Sequence, residues 1–306
     1  MVFSFLYSAV CRGKWFISFR EAEANLLLVQ RLLSRDASLA DGQPLSESQP
    51  VPVMLEHEGR LMKRGNSFAD APEGSTAVIP LRGTMLKYGT MCSYGTTEIA
   101  SVIREAAASK NISSIVLDID SGGGSVDAIA PLADAIRQAQ SARKAVVASC
   151  SLCASAAYYV ASYCNEILAD NDIDAEFGSI GVMMSFADYA KYYENEGIKV
   201  HTIYSNLSDY KNAPFEAAKK GEYAKIRDEE LDPLARDFQE NVKRNRGARL
   251  KTDTEGLLRG RMFYARDAVR TGLADAVGTL AQAAERSREL SAQMCIDDYL
   301  RVVNNE

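Results

Sequence analysis

Short apolar runs alternate with amphipathic segments between residues 76 and 205 of this 306-residue chain, and this alternation limits the possible folds. Four of the runs are rich in β-branched residues and each predicts a strand: TAVIPL (76–81), ISSIVLDI (112–119), KAVVASC (144–150) and KVHTIYS (199–205). Helical spacing of apolar residues predicts helices over 96–109, 125–140 and 186–197, with a further helix that starts near Ala154. We therefore predict an α/β fold in which a parallel sheet has flanking helices.

The sequence on either side of this alternation predicts two further zones. Residues 20–34 have helical spacing, and residues 36–50 form a polar, turn-rich linker. Residues beyond 280 predict a polar helix and tail. We divide the chain into an N-terminal helical appendage and linker (1–75), a main domain (76–280), and a C-terminal helix and tail (281–306).

Charge and hydropathy exclude two classes of partner. The net charge is −6 with a pI near 5.2, whereas nucleic-acid binding rests on an excess of Lys and Arg, so we expect no nucleic-acid partner. Arg12 and Lys14 interrupt the apolar N-terminal run well before the ~20 residues that a membrane span needs. Residues 145–165 carry no charge, but their Ser, Cys, Tyr and Asn content favours a buried strand and helix. We expect no membrane anchor.

The cysteines favour a structural role in a reducing compartment. The chain has six cysteines, and Cys150 and Cys153 form a C-x-x-C pair. A zinc site would need two more ligands, and no second C-x-x-C or paired histidine motif supplies them. We therefore expect reduced cysteines, no metal and a cytoplasmic location.

Two loops after predicted strands carry residues suited to chemistry. In DIDSGGGSVD (118–127), contiguous glycines lack the G-x-G-x-x-G spacing of nucleotide sites but offer bare backbone N–H groups that suit an oxyanion. In CSLCASAAYY (150–159), Ser155 stands where a strand turns into a helix, either as a nucleophile or as a helix cap. As its base, the sequence offers Lys211 or a histidine, and the two histidines are His57 and His201, which lies within a predicted strand.

Four motifs in this order resemble the signal peptide peptidase A family of serine peptidases: IVLDIDSGGGSVDA, CASAAYYVAS, GSIGV (178–182) and DYKNAPF. The similarity spans about residues 78–280 and ends in RGRMFYARDAVRTGLADAVG. The resemblance implies a crotonase/Clp-protease-like fold of repeated β-β-α units, with a serine peptidase domain over 76–280. It also implies roles for named residues: Ser155 as nucleophile, Lys211 as base, and the N–H groups of Gly123 and Ala156 as oxyanion hole. The substrate is then expected to lie beside Gly122, Gly124, Ser179, Ile180 and Gly181.

The sequence departs from the family pattern at Gly122, where a proline is usual, and at Ala156 and Ala157, where glycines are usual. Because anchorless relatives mature phage capsids, the resemblance implies a Ser/Lys endopeptidase that cleaves a phage scaffold or capsid protein. Such a protein would act without a cofactor, as a homo-oligomer, in the host cytoplasm or inside a prohead. Three alternatives remain: a signal-peptide-degrading peptidase, a non-proteolytic acyl-CoA enzyme of the crotonase type, and an inactive assembly factor.

Overall fold

A computed structural model describes residues 15–17, 49–90, 93–186, 188 and 190–304. The strands are β1 (Trp15–Ile17), β2 (Met54–His57), β3 (Arg60–Lys63), β4 (Ser75–Arg82), β5 (Ile112–Ser121), β6 (Gly123–Ser125), β7 (Val146–Ala154), β8 (Glu166–Ala169), β9 (Glu176–Gly178), β10 (Met262–Tyr264) and β11 (Ala276–Val277). The helices are α1 (Thr96–Ala108), α2 (Ile129–Ser141), α3 (Ala156–Ala161), α4 (Ala190–Asn195), α5 (Ala213–Lys219), α6 (Ala224–Ile226), α7 (Asp232–Arg246), α8 (Ala265–Thr271) and α9 (Leu280–Asn304).

The main sheet is mostly parallel and has nine strands. Its order is β10-β9-β7-β5-β4-β2-β3, and β4, β5 and β7 pair in parallel at its centre. The first half of β7 pairs with β8, which in turn pairs with β11, and its second half pairs with β9. β7 therefore stands where the sheet divides, and it ends directly before Ser155.

Central strands that are apolar on both faces explain this arrangement. On one face Ile79, Ile115 and Leu117 belong to a large buried cluster that also contains the apolar residues of α1 and α2. On the other face Val78 and Val116 pack in a smaller cluster with residues of α9. The predicted α/β class, with a parallel sheet and flanking helices, is confirmed.

A buried polar layer joins α9 to the sheet. The Ser287 hydroxyl bonds with that of Ser114 at 2.8 Å, which in turn bonds with that of Thr76 at 2.9 Å. Ser291 accepts a hydrogen bond from the N–H of Ala145 at 2.8 Å, and Arg288 of α9 pairs with the buried carboxylate of Glu56. Paired polar groups of this kind fix the orientation of the helix on the sheet.

The division into three domains stays a prediction, but the sheet crosses its first boundary. Val53 and Leu55, within the predicted appendage, are buried in the large cluster, and β2 and β3 form one edge of the main sheet. The predicted helix at 20–34 lies outside the described residues. Within the described residues, no helix combines the length and hydropathy of a membrane span.

Most predicted elements of the sheet are confirmed, and one is wrong. The strands predicted at 76–81, 112–119 and 144–150 form β4, β5 and β7, although β7 continues to Ala154. The strand predicted at 199–205 is absent: this stretch has no regular structure, and Val200 and Ile203 are exposed. Its β-branched composition suits a strand, but among the described strands none pairs with it.

Candidate active site

Ser155 occupies a strained turn between β7 and α3. Its φ of 54° and ψ of −117° lie in a region that L-residues rarely adopt, with a cost of about 1–3 kcal/mol. Hydrogen bonds fix the turn, since the N–H of Ser155 donates to Gly178 O at 2.8 Å and its carbonyl accepts from Tyr159 N at 2.9 Å. The backbone is therefore held in an unfavourable conformation that aims one side chain.

The hydroxyl of Ser155 is buried and makes no hydrogen bond with any described residue. The residue is only 1 % exposed, and a buried hydroxyl without a partner costs about 1–3 kcal/mol. Ser155 stands directly before α3, yet its side chain makes no cap hydrogen bond to that helix. The alternative that Ser155 serves as a helix cap is therefore wrong, and the hydroxyl is left for another partner.

The glycine turn lies beside Ser155 and contains the short strand β6, which has little side-chain bulk. Ser121 at the end of β5 pairs with Cys153 of β7, and β6 contacts α3. Gly123 has a φ of 104°, which favours glycine. A Cβ on Gly124 would come within 2.0 Å of Met85 O, so only glycine allows this approach of the two chains.

The hydrogen bonds of this turn bear directly on the predicted oxyanion hole. Gly123 N–H donates to the hydroxyl of Ser121 at 3.1 Å, and that hydroxyl donates to Gly83 O at 2.6 Å. Sequence reasoning missed Ser121, although it precedes the glycines in the quoted motif. Its hydroxyl occupies the N–H group that an oxyanion would use.

The GSIGV segment (178–182) contacts Ser155 through the carbonyl of Gly178. Gly178 has a φ of 126°, and a Cβ there would lie 2.3 Å from Arg261 O. Ser179 also has a positive φ, of 53°, and its N–H donates to Arg261 O at 3.1 Å. Ile180 is buried, whereas Gly181 is partly exposed. The structure thus brings this segment to Ser155 through Gly178.

Lys211 lies in a different kind of surrounding. It stands in a turn before α5, is exposed, and its N–H donates to Ser208 O at 3.1 Å. Since Ser155 Oγ has no hydrogen-bond partner among the described residues, a bond between Lys211 and Ser155 is not formed in this single chain. His201 is exposed in the same segment, and His57 ends β2 at the other edge of the sheet.

A buried ion pair lies close to α3. Arg246, with a side chain that is 0 % exposed, donates to both carboxylate oxygens of Asp275 at 2.9 and 2.8 Å. Burial alone would raise the pKa of Asp275, but the hydrogen bonds and charge of Arg246 outweigh it and hold that pKa below its usual value. The Tyr158 hydroxyl of α3 donates to Leu273 O at 2.9 Å nearby. Arg246 and Tyr158 therefore both bind the segment 272–275, which connects α7 with α3.

The cysteines of β7 are packing residues. Cys150 and Cys153 are fully buried free thiols, and Cys164 is buried near them. Burial raises the pKa of Cys150 well above its usual value, so this thiol stays protonated. A protonated, inaccessible thiol suits the structural role expected from the sequence.

A serine on a strained strand-to-helix turn, next to a turn with backbone N–H groups, is the arrangement of α/β proteins that carry a nucleophilic serine. The sequence profile of peptidase family S49 matches residues 137–294, which is slightly more than half of the chain. The chain belongs to this family.

Individual relatives include two phage proteins. The chain is 31% identical over 205 residues to the head-tail preconnector protein GP5 of Enterobacteria phage P21, covering 65% of this chain and 40% of the relative. It is 26% identical over 208 residues to capsid assembly protease C of Escherichia phage lambda, covering 65% and 45%. Protease 4 of Haemophilus influenzae is 25% identical over 219 residues, covering 71% and 35%. The chain spans less than half the length of each of these relatives.

Among solved structures, an enoyl-CoA hydratase/carnithine racemase from Magnetospirillum magneticum aligns with a TM-score of 0.41 at 14% identity, covering 82% of both chains.

Proposed function

We propose that this protein is a serine endopeptidase in which Ser155 is the nucleophile and Lys211 the general base. The observation that carries the proposal is the Ser155 hydroxyl, which is buried, without a hydrogen-bond partner among the described residues, and held on a strained turn. A nucleophile needs a hydroxyl free to bond with a base and a carbonyl carbon, and this one has both capacities unused. Membership of peptidase family S49 supports the reaction class.

The oxyanion is stabilised by backbone N–H groups on either side of Ser155. Ala156 begins α3, and the first N–H groups of a helix have no partner within it. Gly123 contributes the second N–H once the Ser121 hydroxyl has turned away, because these two groups are hydrogen-bonded in the resting site. Each such donor contributes about 10²–10³-fold in rate.

The reaction proceeds by acyl transfer. Uncharged Lys211 removes the proton of the Ser155 hydroxyl while Oγ bonds to the scissile carbonyl carbon, and the carbonyl oxygen becomes the oxyanion. The C–N bond then breaks as Lys211 returns the proton to the leaving amine. A water molecule then attacks the acyl ester while Lys211 removes its proton. Lys211 passes that proton to Ser155 Oγ as the ester bond breaks. The chain supplies every group in these steps, and no cofactor takes part.

The proposed dyad requires an assembly. In the segment 183–223, large apolar side chains face solvent, with Ile203 91 % and Leu207 94 % exposed. Exposure on this scale favours burial against another protein surface. We place the segment against a second copy of the chain in a homo-oligomer, where Lys211 reaches a Ser155 hydroxyl.

Mixing two inactive variants tests this arrangement. Ser155→Ala and Lys211→Met are each inactive alone, and mixed oligomers recover cleavage if the two residues act across a contact between copies. Unchanged inactivity of the mixture, with subunit exchange confirmed by mass spectrometry, places both residues in one chain. A monomer by light scattering at micromolar concentration contradicts the assembly.

The substrate that we propose is a phage scaffold or capsid protein, cleaved in the host cytoplasm or inside a prohead. The names of the two phage relatives support this choice. The test incubates the wild type and Ser155→Ala with head proteins and maps new termini by mass spectrometry. Termini that appear with the wild type alone support the proposal, whereas identical products with both variants contradict it.

A further inference from the structure

Strand β1 lies apart from the main sheet and pairs with the glycine turn. Trp15–Ile17 runs antiparallel to β6, with Trp15 opposite Ser125, Phe16 opposite Gly124, and Ile17 opposite Gly123. The same strand contacts α3, the helix that follows Ser155. A stretch of chain that is distant in sequence thus lies beside both the glycine turn and the helix that follows Ser155.

The edge of β6 that faces β1 is suited to binding extended backbone. On its other edge, Gly123 O accepts from Met85 N and Ser125 N donates to Met85 O, both at 2.9 Å. Backbone groups alternate in direction along a strand, so the N–H and C=O of Gly124 face Phe16. Because β6 holds two glycines and a serine, it offers hydrogen-bonding groups with little side-chain bulk.

A peptide substrate needs this same position. To be cleaved it must lie extended beside Ser155, and strand addition to β6 through the N–H and C=O of Gly124 achieves this. Phe16 stands opposite Gly124, whose N–H and C=O are the groups that such a substrate strand would bond. β1 and a bound substrate therefore exclude each other.

We propose that residues 15–17 are an internal occupant of the peptide-binding edge, which an incoming polypeptide displaces before it is cleaved. The inference rests on the proposed function for its consequence in catalysis. Occupancy lowers the apparent affinity for substrate by the fraction of time that the edge is free.

The single tryptophan of the chain, Trp15, reports this displacement without catalysis. The experiment uses the full-length Ser155→Ala chain and titrates it with a synthetic peptide of residues 13–19 that carries Phe at position 15. Saturable displacement changes the Trp15 emission, because β1 leaves β6. An emission spectrum that does not respond while the peptide binds, as shown by calorimetry, overturns the inference.

A backbone variant provides the matched comparison. Phe16→Pro removes the N–H that faces Gly124, whereas Phe16→Ala keeps it. In the Ser155→Ala background, Phe16→Pro therefore shifts the Trp15 emission without added peptide, and Phe16→Ala does not. Equal spectra for the two variants count against the pairing, and thermal melting confirms that both are folded.

Kinetics then separate this inference from the proposed function. With Ser155 present, Phe16→Pro lowers KM for a quenched apolar peptide by about tenfold if the edge is free one tenth of the time, while kcat stays constant. Cleavage with an unchanged KM overturns the inference and leaves the peptidase proposal intact. If no variant cleaves any peptide, the proposed function fails, and the fluorescence result still decides whether β1 occupies the edge.

Discussion

The proposed nucleophile and its proposed base lie in two regions with opposite physical character. Around Ser155, strand and helix residues are buried and their backbone groups are paired. Around Lys211, the segment 183–223 has short helices, and α4 contains no buried residue. The half of the proposed site around Ser155 is therefore packed within a single chain, whereas the half around Lys211 lacks a packed environment. Changes to buried ion pairs in the first region therefore test stability, and changes in the second region test assembly and catalysis.

The largest expected effect is on turnover. Lys211→Met removes the amine and keeps the aliphatic stem, so we expect kcat to fall about 10²–10⁴-fold, the usual contribution of a general base. Thermal stability stays unchanged because the side chain is exposed. Peptide cleavage rates and melting curves measure the two quantities.

His201→Gln is the matched control, since His201 is exposed in the same segment and has no role in the proposed chemistry. If His201→Gln abolishes turnover while Lys211→Met stays active, the dyad is wrong.

For the wild type, kcat/KM rises with pH, because only an uncharged amine accepts the serine proton. A kcat/KM that falls as the pH rises contradicts a lysine base.

The next effect is on the buried side of the comparison. Asp275→Asn leaves the Arg246 charge buried without its partner, and we expect a loss of about 3–5 kcal/mol in the free energy of unfolding. Denaturant unfolding measures this loss. Asp267→Asn breaks an exposed pair with Arg270, so it serves as the control and should cost at most about 1 kcal/mol.

Acid should weaken the same buried pair. The pKa of Asp275 is lowered in the folded state, so its contribution to stability is present above the ordinary Asp pKa of about 4 and is lost as pH falls through the lowered value. The difference in stability between wild type and Asp275→Asn should therefore shrink in acid. A difference that grows as the pH falls contradicts the assignment.

A smaller effect is expected from charges on the exposed segment. Ile203→Asp together with Leu207→Asp should dissociate the proposed oligomer and reduce turnover about tenfold or more, with little change in the melting temperature of the dissociated chain. Light scattering and cleavage assays measure both effects. Ile173→Asp is the control, because Ile173 is 85 % exposed outside the segment. Equal behaviour of the two variants contradicts an interface at 203–207.

The same contrast explains what the sequence predicted. The strands around Ile79, Ile115 and Val147 were predictable because strands covered on both faces must be continuously apolar. Ser155 could be placed at a strand-to-helix turn from local pattern alone. Its φ of 54° and the hydrogen bond from its N–H to Gly178 O depend on residues distant in sequence, and no local signal contains them.

The failed prediction at 199–205 has the opposite cause. Local composition there favours a strand, but a strand also needs a neighbour to receive its hydrogen bonds, and composition does not show whether one exists. For the same reason, spacing in the sequence could not show whether Lys211 and Ser155 approach one another. The pairing of Trp15–Ile17 with the glycine turn is likewise a long-range contact between short segments.

The polar layer beneath α9 has a consequence for biosynthesis. Residues 280–304 are translated after every strand of the sheet, and until they emerge, Ser114 and Thr76 lack Ser287 and Arg288 as partners. A nascent chain can pack α1 and α2 on one face of the main sheet while the opposite face remains exposed to solvent. Folding is therefore completed only at the end of this stretch of translation, and the proposed active site forms only after synthesis has passed this point.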